Sequence, residues 1–246
     1  MRSYQEFASL YDKLMDDYDY FMWSNYIIDL FNHYDLKPRD ILEMACGTGN
    51  LTYHLANNRY NLVAFDLSSE MLAIAYEKLR KFKNVKLLNQ NMVNFNINMN
   101  FDCVVSVCDS INYILNEEEL LKCFENAYKH LRNNGVFIFD INTYYKLKNI
   151  IGNNTFIEDR EDIFYTWQNY FDDDKELCEF YLTFFKRNED GLYIRFDEKH
   201  IEKAYRSEYI IEILKKAGFN KVDIYNSFSI ENANETSERI NFVALK

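Results

Sequence analysis

The stretch ILEMACGTGN, Ile41–Asn50, decides the fold class of this chain of 246 residues. An apolar run that is typical of a buried strand leads into Gly47 and Gly49, which one residue separates, and a helical pattern follows. Glycine allows a tight turn and a close approach of a ligand to the backbone, and the first turn of the next helix offers free amide groups. The stretch therefore predicts a strand, a turn that faces a ligand, and a helix.

Apolar strand patterns alternate with amphipathic helix patterns on both sides of this turn. Such alternation is typical of a sheet that helices cover on both faces. The sequence predicts an α/β fold with a Rossmann-like, mostly parallel sheet of seven strands, of which the last is antiparallel. Helix starts are predicted at Ser68 or Ser69 and after Asn116, since these side chains cap helices. The predicted strands contain DILEMA, NLVAFDL, VKLLNQN, FDCVVSVCD, GVFIFDIN, KVDIYNSF and RINFVALK.

The first 35 residues predict a helical cap ahead of the first strand. Apolar residues recur there at helical spacing in two stripes, which are Phe7, Leu10, Tyr11 and Leu14, and then Phe21, Ile27, Ile28 and Phe31. Together with the alternating segments, the cap predicts one α/β domain that is made of residues 1–140 and 201–246.

Residues 141–200 interrupt the alternation and predict an inserted antiparallel β subdomain. EDIFYTWQNYF, ELCEFYLTFFKR and LYIRFDEKH predict three strands that short turns join. Between Glu158 and Glu198 there are 13 acidic and 5 basic residues, a net charge of −8. We hypothesise that this subdomain is the lid or wall of a small-molecule pocket, for example one that binds an amine. The alternative is that its acids only solvate the outer face of the sheet.

The composition argues against several kinds of partner and site. The 28 basic and 39 acidic residues give a net charge of −11, which disfavours binding to nucleic acid. Five cysteines without a C-x-x-C pair argue against a zinc site or a disulfide framework, and no metal site is predicted. The sequence shows neither a signal peptide nor a long apolar segment, so a cytoplasmic location without a membrane partner is expected. Monomer and homodimer both remain open.

Asp66 narrows the identity of the ligand. It ends the second predicted strand, 17 residues after Gly49, where a carboxylate can accept bonds from the ribose hydroxyls of an adenosine. Nicotinamide and flavin proteins add a third glycine that lets helix and strand pack closely around a pyrophosphate. Here that position is Thr52, which disfavours a dinucleotide.

Glu43 precedes the turn and completes the motif EMACGTG. With Asp66 and the strand and helix series, this motif resembles the class I S-adenosylmethionine-dependent methyltransferases over nearly the whole chain. YQEFASLYDKLM, with Trp23 a little later, is similar to the cap of a subgroup that acts on small molecules, including amino-sugar N,N-dimethyltransferases. The resemblance implies S-adenosyl-L-methionine as cofactor and methyl transfer to N or O of a small-molecule acceptor. Proximity and desolvation would drive this in-line displacement.

The resemblance also implies which residues bind the cofactor. The turn lies against the methionine portion, Asp66 holds the ribose, and the residues after the second and third strands contact adenine. Cys108 and Asp109 lie beside the methionine amine and the transferred methyl, and aromatic residues of the cap close the site. The implied residues are Tyr11, Trp23, Glu43, Ala45, Cys46, Gly47, Gly49, Asp66, Leu67, Met71, Asn91, Met92, Cys108 and Asp109, with Tyr4 as a further cap aromatic.

No single catalytic base stands out, and a base is optional for an amine acceptor that is already unprotonated. Candidates on the substrate side follow the fifth strand or end the insertion: Asp140, Asn142, Tyr144, Tyr145 and His200. Two alternatives stay open, an NAD-dependent oxidoreductase and a non-catalytic protein that binds S-adenosylmethionine.

Overall fold

The computed structural model of the chain describes residues 10–14 and 18–246. Residues 10–14 are helical, and the further helices are α1 (Tyr20–His33), α2 (Asn50–Asn57), α3 (Ser69–Leu79), α4 (Glu117–His130) and α5 (Ser207–Lys216). Its strands are β1 (Asp40–Met44), β2 (Asn61–Asp66), β3 (Val85–Asn89), β4 (Phe101–Ser106), β5 (Leu131–Asn142), β6 (Thr155–Arg160), β7 (Ile163–Asp172), β8 (Leu177–Arg187), β9 (Tyr193–Lys203), β10 (Lys221–Asn226) and β11 (Arg239–Leu245). A 3₁₀ helix spans Ser110–Tyr113 and a π-helix spans Lys146–Ile151.

Seven strands form the main sheet in the order β10-β11-β5-β4-β1-β2-β3. β11 is antiparallel to both of its neighbours, while β1 to β5 pair in parallel. Helices α4 and α5 pack on one face, and α1 and α2 on the other, so that buried apolar side chains fill two layers. The predicted α/β fold is confirmed.

The predicted helix starts follow from capping. Ser68 caps α3 by accepting a hydrogen bond from the Met71 N–H at 3.2 Å. Asn116 caps α4 in the same way, and three acidic residues in its first turn suit the positive end of the helix dipole. Both starts lie where the sequence predicted them.

The insertion holds four antiparallel strands, in the order β6-β7-β8-β9, and not three. The strand that the sequence pattern missed is β6, which lies at the edge of this second sheet and pairs only with β7. Its residues, TFIEDR, are mostly exposed and carry charges, so they lack the regular apolar alternation of a buried strand.

The second sheet has an inner face that packs on the rest of the molecule. Leu10 of the cap is buried there against Ile163, Phe184 and Phe196. A second apolar cluster joins the inner face of β8 to the π-helix that follows β5. The second sheet therefore covers the amino-terminal segment as well as the end of β5.

The buried face of α1 differs from the predicted stripe. Trp23, Ile27 and Phe31 are buried, whereas Phe21 is 58% exposed and packs against the ring of His54. Phe21 lies in the first turn of α1 and is exposed, so this residue of the predicted apolar stripe does not belong to the buried face of the helix. Phe7 lies outside the described residues.

None of the helices in the described ranges has both the length and the apolar character that a membrane crossing requires.

Candidate active site

The carboxyl ends of the parallel strands meet at one edge of the main sheet, here called the carboxyl edge. The turn after β1 spans residues 45–49, Asp66 ends β2, and residues 107–109 follow β4. Asp140 and Asn142 lie at the end of β5. Because ligands of open α/β sheets bind at this edge, these strand ends form the candidate site.

The two glycines of the turn serve different purposes. Both have left-handed backbones, with φ of 54° at Gly47 and 76° at Gly49. A Cβ added to Gly49 would lie 2.7 Å from Leu79 Cδ1 and 3.3 Å from Ala75 Cβ, so this glycine allows α2 to pack against α3. A Cβ added to Gly47 would meet no heavy atom of the described residues within 4 Å. Gly47 therefore borders open space at the edge.

The remaining residues of the turn are held by the backbone. Ala45 also has a left-handed backbone, with φ of 53°. The Cys46 N–H donates to the Phe65 carbonyl at 2.9 Å, and the Cys46 side chain is buried. Cys46 thus faces the core, while its backbone fixes the turn to β2.

Glu43 is a buried carboxyl that lies beneath the turn. Its Oε2 accepts a hydrogen bond from the Thr52 hydroxyl at 2.7 Å, and only 2% of Glu43 is exposed. Burial raises the pKa of Glu43 to about 8, although the Thr52 bond acts in the opposite direction. The residue that replaces the third glycine of a dinucleotide motif therefore supplies the hydrogen-bond donor that this carboxyl needs.

Asp66 ties the turn to the end of β2. Its Oδ2 accepts from the Gly47 N–H and its Oδ1 from the Ser68 N–H, both at 2.8 Å. Burial raises the pKa of Asp66, and these N–H donors partly offset the effect. Each carboxylate oxygen has a second lone pair, so Asp66 can also accept two hydroxyl donors from a ligand.

Asp12 attaches the cap to the turn, a contact that the sequence patterns did not reveal. Its Oδ1 accepts from the Thr48 hydroxyl at 2.5 Å and from the Asn50 amide at 3.0 Å, and Lys78 Nζ lies 2.9 Å from Oδ2. Burial acts to raise the pKa of Asp12, but the bonds from Thr48 and Lys78 outweigh it and lower the pKa. Lys78 is thus a partner of the cap as well as a cation at the end of a helix.

The two cap aromatics that the resemblance named lie in different surroundings. Burial raises the pKa of Tyr11, and the nearby ionisable groups of Cys108, Asp109 and Asp66 act in the same direction, so this hydroxyl lies near the carboxyl edge. Trp23 is fully buried and packs on Tyr18 and Phe228, with ring centroids 6.3 and 4.7 Å away. The contacts of Trp23 are those of a core residue. Tyr4 lies outside the described residues.

The predicted adenine contacts border the ends of β2 and β3. Leu67 is 68% exposed directly after Asp66, and Met71 is half-buried in the first turn of α3. The Asn91 side-chain oxygen accepts from the Val93 N–H at 2.8 Å, and Met92 packs against the main core. Asn91 thus already uses one lone pair of its amide oxygen to shape its own loop.

Cys108 and Asp109 lie beyond β4 and do not end it as the sequence suggested, because β4 ends at Ser106. Both have left-handed backbones, with φ of 62° and 54°, where the chain turns into the 3₁₀ helix. The Cys108 thiol is half-buried, and burial raises its pKa. Such a conformation is costly for residues with a side chain, so neighbouring contacts must hold it.

Arg239 supplies those contacts from the start of β11. Its guanidinium donates to Asp109 Oδ1 at 2.6 Å, to Asn142 Oδ1 at 3.1 Å and to Asp140 Oδ2. The Asp109 N–H also donates to Asp140 Oδ2 at 3.1 Å. Burial raises the pKa of Asp140 to about 6, and Arg239 opposes the rise. β11 is antiparallel, which brings its first residue to the carboxyl edge; the predicted strand direction was the one signal that could have found Arg239.

The second sheet reaches this network through Glu202 on β9. The Asn142 amide donates to Glu202 Oε2 at 2.9 Å, and Lys146 Nζ donates to Asn142 Oδ1 at 3.0 Å. Burial raises the pKa of Glu202 well above its ordinary value. His200 lies two residues before Glu202, so it is on the same face of the strand.

The two tyrosines after β5 lie apart from this network. The Tyr144 ring packs against Phe171 at 5.8 Å, and the Arg206 guanidinium lies 4.2 Å from its centroid. Tyr145 directly precedes the π-helix. Of the substrate-side candidates, Asp140 and Asn142 therefore belong to the network and Tyr144 packs beside the second sheet.

Comparison with known proteins identifies the family. Residues 41–135 match the family model of the methyltransferase domain. The crystal structure of an S-adenosylmethionine-dependent methyltransferase from Clostridium acetobutylicum ATCC 824 is 42% identical, covers 98% of this chain and 98% of its own, and has a TM-score of 0.89. The chain belongs to the S-adenosylmethionine-dependent methyltransferases.

Two further relatives of this methyltransferase differ in coverage. The Bacillus subtilis (strain 168) protein named "Putative methyltransferase YqeM" is 33% identical over 99% of the chain and 97% of that protein. The dTDP-3-amino-3,6-dideoxy-alpha-D-glucopyranose N,N-dimethyltransferase of Streptomyces fradiae is 28% identical over 55% of the chain and 52% of that protein.

S-adenosylmethionine is the cofactor of this methyltransferase, and the carboxyl edge fits it. The open space over Gly47 leaves room beside the turn, and Asp66 has free lone pairs for hydroxyl donors. Leu67 exposes apolar surface next to Asp66. Among residues 10–14 and 18–246, no cluster of three or more His, Cys, Asp or Glu side chains has the arrangement of a metal site.

Proposed function

We propose that this methyltransferase methylates a nitrogen or oxygen atom of a small molecule that binds between the carboxyl edge and the second sheet. The observation that carries the proposal is the position of Asp66, whose two oxygens are bonded to the backbone beside the open space over Gly47. This arrangement offers a fixed carboxylate and an accessible backbone to an adenosine that carries a methionine.

The cofactor is proposed to lie along the edge from β3 to β4. Asp66 accepts the ribose hydroxyls, and the turn after β1 contacts the methionine portion, with Glu43 supporting the turn from below. The adenine lies among Leu67, Met71, Asn91 and Met92, and the methionine amine faces the backbone of Cys108 and Asp109. Tyr11 covers the cofactor from the cap, while Trp23 supports the cap by packing.

When bound, S-adenosylmethionine supplies an electrophilic methyl group on a sulfonium, and a thioether leaves. The chain has to align the acceptor with this methyl and exclude water, and orientation alone can contribute about 7 to 11 kcal/mol. The cap, which Asp12 fastens to the turn, and the second sheet cover the edge and favour an unprotonated acceptor amine by desolvation.

The position of the second sheet supports a role for residues 141–200 as lid or substrate wall. Of the 13 acidic residues between Glu158 and Glu198, Glu198 is the one that is buried, at 6% exposure. Its Oε1 has no hydrogen-bond partner among the described residues. The local charge of the insertion therefore mostly meets solvent, and the support comes from the few acids on the inner face, Glu198 and Glu202.

An amine acceptor has additional support from a relative. The Streptomyces fradiae relative is named as an N,N-dimethyltransferase of an amino sugar, although the similarity covers about half of each chain. We therefore include amines first in the set of acceptors to be tested.

Replacing Asp66 tests the cofactor assignment. Asp66→Ala should weaken the binding of S-adenosylhomocysteine roughly 10- to 100-fold in calorimetry, because two charge-assisted bonds to the ribose are lost. Asp102→Ala, at the opposite edge of the sheet, is the control and should leave the affinity unchanged. Equal affinities of the Asp66 variant and the unaltered protein would show that the ribose lies elsewhere.

Turnover tests the reaction itself. Methyl transfer from labelled S-adenosylmethionine to a panel of amines and phenols should give product with the unaltered protein. Binding of S-adenosylhomocysteine without product on any acceptor would favour a non-catalytic protein.

A further inference from the structure

Tyr113 and His200 form a pair that joins the two sheets beside the proposed reaction centre. The Tyr113 hydroxyl lies 3.4 Å from His200 Nδ1, and the two rings meet edge to face with centroids 5.9 Å apart and planes at 87°. Tyr113 ends the 3₁₀ helix after β4, and His200 is on β9. The contact therefore links the main sheet to the second sheet.

The pair lies close to the carboxyl edge. Asp109 caps the 3₁₀ helix that carries Tyr113, and the charge of Asp109 acts on both Tyr113 and His200. Tyr11, which lies near the same edge, also contributes to the raised pKa of Tyr113. Tyr113 is 43% exposed to solvent, so a bound molecule can reach it.

This inference rests on the proposed function and deepens it. We propose that Tyr113 and His200 form a proton relay, in which Tyr113 is the catalytic residue that touches the acceptor and His200 is the positioning residue behind it. No residue assignment above gives a proton acceptor to the reaction, and the relay supplies one.

The proposed step balances as follows. The acceptor atom forms its bond to the methyl carbon while the carbon–sulfur bond breaks and its electron pair goes to sulfur. The proton of the acceptor passes to Tyr113 Oη, and the hydroxyl proton of Tyr113 passes to His200 Nδ1. His200 then carries the positive charge that the sulfonium carried before, and it returns a proton to solvent between turnovers.

The surroundings suit these two roles. Burial lowers the pKa of His200, against the opposing charge of Asp109, so its imidazole is neutral and able to accept a proton at pH 7. Burial, together with Glu202 and Asp109, raises the pKa of Tyr113 well above 10 even though part of its ring is exposed. Tyr113 therefore passes a proton on and does not ionise by itself.

The titratable groups near His200 include Asp109 on the loop after β4, and Glu198 and Glu202 on the same face of β9. Asp140, whose pKa is raised to about 6, also titrates within the neighbouring network. A pH profile of the unaltered protein therefore does not identify His200 by itself, and variants are needed.

Kinetics on the acceptors found in the panel test the relay. Tyr113→Phe and His200→Asn should each lower kcat at pH 7 by roughly 100-fold, the usual contribution of proton transfer to a positioned group. In the unaltered protein, kcat should fall as the pH decreases through the lowered pKa of His200, where the imidazole becomes protonated. This acid limb should disappear in His200→Asn. His33→Asn, on the exposed end of α1, is the control and should behave like the unaltered protein.

Imidazole NMR tests the pair without turnover. In the complex with S-adenosylhomocysteine, neutral His200 should carry its proton on Nε2, because Nδ1 accepts from Tyr113. Tyr113→Phe removes this donor and should shift the Nδ1 resonance of His200, whereas the resonances of His33 should not move.

The outcomes separate the relay from the function on which it rests. Failure of the unaltered protein to bind S-adenosylhomocysteine would refute the proposed function. Binding and turnover that survive in both variants with an unchanged acid limb would refute the relay alone, as would neutral His200 with its proton on Nδ1.

Discussion

The two edges of the main sheet hold the same grouping, an arginine between two aspartates. Arg132 bonds Asp40 and Asp102 at the amino edge, and Arg239 bonds Asp109 and Asp140 at the carboxyl edge. The chemistry of the side chains is identical. What differs is how much water each grouping keeps.

At the amino edge, the Arg132 side chain is 42% exposed, and hydrogen bonds hold the pKa of Asp40 and Asp102 below the usual range. At the carboxyl edge, the Arg239 side chain is 12% exposed and Asp140 is fully buried, so burial outweighs the arginine and raises the pKa of Asp140. The charges at the amino edge therefore stabilise the fold, whereas the charges at the carboxyl edge are buried at a cost in free energy. Buried charge that stability does not explain is expected where a ligand binds.

The largest expected effect is on stability when each arginine is removed. Arg239→Met should lower the free energy of unfolding by about 3 to 5 kcal/mol, because it leaves two carboxylates near each other in a buried place. Arg132→Met should cost at most about 1 kcal/mol, since solvent screens its partners. Urea unfolding at pH 7 measures both.

A further variant separates lost packing from unpaired charge. In Arg239→Met with Asp140→Asn, part of the loss should return, because one buried carboxylate is gone. Equal losses for Arg239→Met and Arg132→Met would mean that burial does not distinguish the two edges.

The same distinction explains what the sequence could predict of the fold. The main strands are covered on both faces, so each leaves a continuous apolar run such as FDCVV or VFIF that a pattern can detect. β6 lies at an exposed edge and keeps no such run, and it was missed. A buried strand can therefore be predicted from its apolar sequence, whereas an exposed strand lacks this pattern.

In the candidate site, residues close together in the sequence could be predicted, and contacts between distant residues could not. Gly47, Asp66 and Ser68 lie within one strand–turn–helix repeat of each other, and their local motif predicted them. The bond from Arg239 to Asp109 joins residues 130 apart in the chain, and those from Asp12 to Thr48 and from Asn142 to Glu202 join residues 36 and 60 apart. Such pairings depend on strand order and on the docking of the second sheet, which no local pattern contains.

The two carboxyl groups of β1, on Asp40 and Glu43, lie near opposite ends of the strand. The pKa of Glu43 is raised to about 8 by burial, so folding takes up a proton and the contribution of Glu43 to stability is lost as pH rises from about 5 to 8. Glu43→Gln removes this titration. Its stability relative to the unaltered protein should rise over that range, by up to about 1.4 kcal/mol per pH unit.

Asp40→Asn should show the opposite sign. The pKa of Asp40 is lowered in the fold, so its charge stabilises above about pH 4 and this contribution is lost as pH falls through the folded pKa. Unfolding midpoints in urea between pH 3.5 and 8, all expressed relative to the unaltered protein, compare the two variants. If the two curves ran parallel, β1 would not span two different electrostatic environments.

The smallest expected effect concerns Asp12, whose bonds resemble those of Asp40. Each of these aspartates accepts from an asparagine amide and pairs with a cation, and each has a lowered pKa. Asp12→Asn and Asp40→Asn should therefore cost similar stability, about 1 kcal/mol or less, because both ion pairs are partly exposed.

Only the Asp12 variant should change ligand binding. Asp12 fastens the cap to the turn that is proposed to contact the cofactor, so its loss adds a cost to closing the cap over the ligand. We expect S-adenosylhomocysteine to bind about 3- to 5-fold more weakly to Asp12→Asn, which corresponds to less than about 1 kcal/mol, and with unchanged affinity to Asp40→Asn. Calorimetry at 50 mM and 500 mM salt sharpens the comparison: screening of the Lys78 ion pair should weaken binding to the unaltered protein and leave the Asp12 variant nearly unaffected. An Asp12 variant that binds as tightly as the unaltered protein at both salt concentrations would show that the cap is fastened for folding and not for the ligand.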